Sequence, residues 1–116
     1  MDSILTSIKK LLGIAEDYEQ FDPDIIMHIN TVFMTLTQQL GVGPAEGFSI
    51  ESKDETWDDF IPEDFEQFAA VKTYVFQNVK LLFDPPLSSV QVEVINRSIN
   101  HLEWRLTEAA QIQNGE

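Results

Sequence analysis

The densest run of carboxylates in this chain is Asp54, Glu55, Asp58, Asp59, Glu63, Asp64 and Glu66, and a hard cation held by oxygen is the first chemistry it suggests. The spacing does not fit. A calcium loop sets its ligands at alternate positions, turns sharply at a glycine and closes on a glutamate at its twelfth position. That register is absent, so solvated loop charge and acids at a helix N-terminus account for the cluster. His28 and His101 are the side chains whose ordinary pKa lies near neutrality. His28 stands among Ile25, Ile29 and Val32 with no second histidine one helical turn away, as a zinc pair would have. His101 sits one turn from Arg97 and Arg105 on a charged helix face. Ser88 and Ser89 lack a nucleophile-elbow pattern and suit a helix cap. The glycine-rich GVGPAEG is followed by no Lys-Ser or Lys-Thr, so it is no phosphate loop. No catalytic residue, metal ligand or cofactor site is assigned, and an enzyme is not expected.

Composition narrows the partners. A formal net charge of −13 across 116 residues and a sequence pI near 4.2 argue against a free-standing nucleic-acid binder, which needs clustered Lys and Arg. The few basic residues are scattered, which also disfavours anionic lipid. No apolar run approaches the roughly 20 residues that span a bilayer, and the acid at the start of MDSILTSIKKLLG is unlike a signal peptide. A cytoplasmic site of synthesis and assembly, with no membrane partner, is the expectation. The absence of cysteine removes disulfides and thiolate chemistry.

The elements that must position these residues are helical. Asp2 or Ser3 can cap a short helix over about 3–12, ending at Gly13. Asp22 and Pro23 start a second helix, 23–40, with Ile25, Ile29, Val32, Phe33, Leu36 and Leu40 on one face and Gly41 at its end. Pro62 with Glu63 and Asp64 predicts a third helix over 62–83, and Ser88 or Ser89 a fourth over 89–110. Between these two helices Pro85 and Pro86 force a sharp corner. Val92, Ile95, Ile99, Leu102, Leu106 and Ala109 form a continuous seam on the last helix, facing the helix before it. The fold class is therefore all-α, one domain over 1–116, with about four helices in a small bundle. A long loop arm, 41–61, is left over, and it admits a short β-hairpin pairing Phe48 and Ile50 with Thr56 or Trp57 across Lys53–Asp54.

A long helix ending in VKLLFDPP, then Ser-Ser, then a last helix ending in EWRL resembles the small head-tail connector (adaptor, or head-completion) proteins of tailed bacteriophages. The matching part is Val79 to Pro86 with His101 to Leu106. The resemblance implies a structural virion protein forming a ring of twelve copies between the portal vertex and the tail. The ring would extend the DNA channel, let DNA pass without specific binding, and contact the portal protein and the next connector or tail-completion protein. Negative charge on the channel wall would keep a moving duplex from adhering.

Candidate contact residues come from periodicity. Trp104 points nearly opposite Leu102 and Leu106, sharing a face with Val90, Val94, Arg97 and His101. Ala69, Phe76 and Phe83 form a second stripe on the preceding helix. Phe76, Phe83 and Trp104 are the expected self-association residues. In the arm, Phe48, Ile50, Trp57, Phe60 and Ile61 are too apolar for a tether, so they either fold onto their own core or dock on another chain; Trp57 and Phe60 are the expected arm contacts. The alternative from a different class is an acidic inhibitor that imitates DNA, although such a mimic spaces its carboxylates along a surface rather than in one loop.

Overall fold

A computed structural model describes residues 3–62, 64–65 and 67–113. Asp2 as a cap, Glu63, Glu66 and the chain end beyond 113 lie outside the described residues. The described residues form helices and no strand: α1 (Ile4–Leu12), α2 (Asp22–Gln38), the single turn α3 (Trp57–Phe60), α4 (Phe68–Phe83) and α5 (Ser89–Gln113).

Ser3 caps α1, its hydroxyl accepting the Thr6 amide, and Gly13 ends it in the left-handed conformation that satisfies the last carbonyls. Helix α2 begins at Asp22 with Pro23 in its first turn, but Asp22 does not act as the expected cap. Its carboxylate turns instead to Lys9, 2.9 Å away. Helix α1 lies against both α2 and α4, while α5 packs chiefly against α4. The start of α2 meets the end of α4 where His28 approaches Phe83, ring centroids 6.5 Å apart. The core runs from Ile4 and Ile8 through Ile25, Phe33 and Leu36 to Val71, Val75 and Val79.

The arm departs from expectation in two ways. No hairpin forms, because side chains take the backbone groups that a ladder would have used. Asn30 on α2 accepts the Ile50 amide at 2.8 Å and donates to the Ile50 carbonyl at 3.0 Å. Glu55 accepts the amides of Glu51 and Ser52. What remains of pairing is an isolated bridge between Ser3 and Thr56. Secondly, α4 begins at Phe68 and not at Pro62. An earlier start signal intervenes: the Asp59 carboxylate accepts the Thr56 amide at 2.9 Å and nucleates α3. Pro62 then ends that turn, since the residue before a proline avoids the helical region, and Ile61 is extended at φ −144, ψ 151. A further turn closed by Phe65 on Pro62 carries Ile61 and Phe65 into the core before α4 starts.

Candidate functional site

The long last helix is held at one rotation about its axis. Tyr74, buried on α4, donates its hydroxyl to the Glu103 carboxylate at 2.7 Å. Burial above all, and then the adjacent Glu103, hold the Tyr74 hydroxyl well above its ordinary pKa, so it stays protonated and donates. With Ile99, Leu106 and Ala109 buried, the opposite face of α5 is left to solvent. Val90, Val94, Arg97, His101 and Trp104 follow one another there in steps of four and three residues, which is the repeat of a packing seam. Trp104 is 61% exposed and Val90 67%. The Trp104 ring lies 6.4 Å from that of His101. The ion pair of Arg97 with Glu93 sits in the open and contributes little.

The three expected self-association residues do not share a surface. Phe76 follows Tyr74 by two residues, roughly 200° around α4, so it points away from the side on which α5 docks. Phe83 lies on the Phe76 side, half-buried beneath Phe21, whose ring is 5.4 Å away. Trp104 stands beside His101 on the outer face of α5. Phe76 and Phe83 are thus partly buried against the core on one side of the α4–α5 hairpin, and Trp104 is exposed on the other.

The arm is closed. Trp57 is 2% and Phe60 3% exposed, so of the two possibilities the sequence left open, both rings fold onto the chain's own core. Phe33 of α2 is the centre of that contact, with Phe60 at 4.5 Å and Phe48 at 5.2 Å between centroids. Trp57 also donates its indole N–H to Ser7 of α1 at 2.8 Å. In this conformation Trp57 offers no surface to a second chain, and Phe60 meets the outside only where it lines a cleft beside Val42 and Ala110.

Within the acidic cluster, Glu55 and Asp59 serve the arm's own backbone. Burial is the largest single influence on Glu55 and pushes it up, but the amides of Glu51 and Ser52, with the Ser52 hydroxyl, together bring it below the ordinary carboxylate range. Among the described residues no group of three His, Cys, Asp or Glu side chains could hold a metal ion. His28 lies against a phenylalanine edge rather than a carboxylate, and Ser88 accepts the Gln91 amide at the head of α5. No helix of the described residues is long and apolar enough to cross a membrane.

Sequence reasoning passed over several residues. Lys9 is 2% exposed, and its ammonium binds the Asp22 carboxylate together with the Glu16 and Tyr18 carbonyls. No pattern signals such a lysine, because its partners are mostly backbone. Leu87 in the corner is fully exposed, and a cleft of about 270 Å³ opens beside Val42, Pro44, Phe60, Ile61, Phe65 and Ala110. The proline pair did mark the corner, but a leucine beside it reads as an ordinary loop residue.

Residues 4–113 match the family model described as phage connector protein. No curated protein and no solved structure matches the chain significantly.

Proposed function

The chain belongs to the phage connector protein family, whose members are structural components of the virion joining head and tail proteins, and from that premise we propose that it forms a closed ring at the head-tail junction. In this reading each copy contributes a single domain, twelve copies sit beneath the portal vertex, and the ring extends the DNA channel toward the next connector or tail-completion protein. The family match over nearly the whole chain carries the proposal. The two-sided form of the hairpin supports it. A ring is built from heterologous contacts, in which each copy uses two different patches. Phe76 and Phe83 supply one side and Trp104 the other. The strong negative charge suits a channel wall past which DNA must slide.

The test is deletion of the gene from its source genome, with electron microscopy of the lysate and a plasmid copy as control. Filled heads lacking tails, restored by the plasmid, are the expected result. Intact virions from the deletion would overturn the connector reading and bring forward the DNA-mimicking inhibitor.

A further inference from the structure

Two features at opposite ends of the α4–α5 hairpin are complementary. At one end Leu87 projects from the Pro85–Pro86 corner with a relative exposure of 106%, held out by two residues whose φ is fixed. Val90, also exposed, stands beside it. At the other end is the cleft beside Val42, Pro44, Phe60, Ile61, Phe65 and Ala110. From Val90 to Ala110 the helix rises about 30 Å, so Leu87 cannot reach the cleft of its own chain.

We propose that Leu87 of one copy inserts into this cleft on the next copy, making a head-to-tail contact between corner and cleft. The inference rests on the ring reading and names the contact within it. Size supports a side chain as occupant. The cleft, about 270 Å³, falls below the roughly 300–1,000 Å³ of small-molecule sites, yet exceeds the cavity of about 150 Å³ known to take one small apolar group. Charge supports the α5 head as the element that brings it. The first turn of α5 carries no acid, so the positive end of its dipole is uncompensated. Exposed Asp64 and Glu46 lie in the two segments that wall the cleft. The two aromatic features fall in the same order, with Phe83 at the corner end and Trp104 toward the cleft end. A single aliphatic insertion buries far less than the roughly 1,200 Å² of a stable pair. It therefore holds through repetition around a closed ring.

The chain has no cysteine, so introduced pairs report cleanly. Wild-type virions are first blotted for the chain, and its absence there would count against the connector reading rather than this contact. Virions are then assembled with the Pro44→Cys/Leu87→Cys chain and oxidised, with Ala45→Cys/Leu87→Cys as a second pair should the proline change disturb folding. A ladder of dimers, trimers and larger species on a non-reducing gel is expected, with neither single variant cross-linking. Dimers from Leu87→Cys alone would reveal a symmetric corner-to-corner contact and overturn the proposal. So would virions that contain the double variants yet give only monomer.

Discussion

Lys9 shows how much one side chain can organise in a small domain. Its ammonium joins α1, the 14–21 linker and the first residue of α2 through three partners, all of which lose it together on substitution. Removing one member of a buried pair leaves the others unpaired, a loss on the order of 3–5 kcal/mol. Since Asp22 keeps 19% of its side chain in water, Lys9→Met is expected near the lower end, about 3 kcal/mol, measured by urea denaturation. Tyr74 makes the complementary case through pH. Its folded pKa is raised, so its contribution is complete below the ordinary phenol value of about 10 and declines as pH rises beyond it toward the folded value. In a Tyr18→Phe background, where Tyr74 is the remaining tyrosine, the phenolate absorbance should stay flat through the range in which a free phenol titrates. Ionisation near pH 10 in the folded chain would mean that Tyr74 is neither buried nor bonded to Glu103.

At the scale of elements, legibility followed the source of each signal. Helices α1, α2 and α5 were readable because apolar periodicity marks one face of each, reinforced at α1 by the caps Ser3 and Gly13, although Asp22 does not cap α2. The start of α4 was not, because the competing signals Thr56–Asp59 and Pro62 lie close together and only tertiary burial of Ile61 and Phe65 decides between them. The hairpin failed for a related reason: Asn30, twenty residues away, captures both backbone groups of Ile50, and no local pattern announces a partner at that separation. The candidate surface was half legible. Trp104 stood out as the residue that the seam of α5 leaves over, whereas Leu87 and the cleft exist only once the hairpin and the arm are folded. The Asn30 clamp is open to test. Asn30→Ala leaves a buried amide and carbonyl unpaired, so a loss of about 2 kcal/mol is expected, accompanied by faster protease cleavage within 44–54 and an unchanged helical signal.

The whole molecule measures 42 × 35 × 20 Å, a plate about two helices thick along which α5 extends for about 37 Å. Each copy added to an assembly brings a charge of −13, so association works against electrostatic repulsion over a Debye length of about 10 Å at 0.1 M salt. Raising ionic strength should therefore favour association of the purified chain in sedimentation, and dissociation with salt would mean that ion pairs dominate the contact. A different consequence follows from the lock between α1 and the arm. The Ile4 amide bonds to the Glu55 carbonyl, and Ser7 receives the Trp57 indole, so α1 closes on partners made some fifty residues later. At about 5–20 residues per second, the side of α1 that meets the arm waits several seconds for its cover. Nascent chains halted before Trp57 emerges should accordingly be the species most readily captured by chaperones, and release of that capture should coincide with the emergence of the arm.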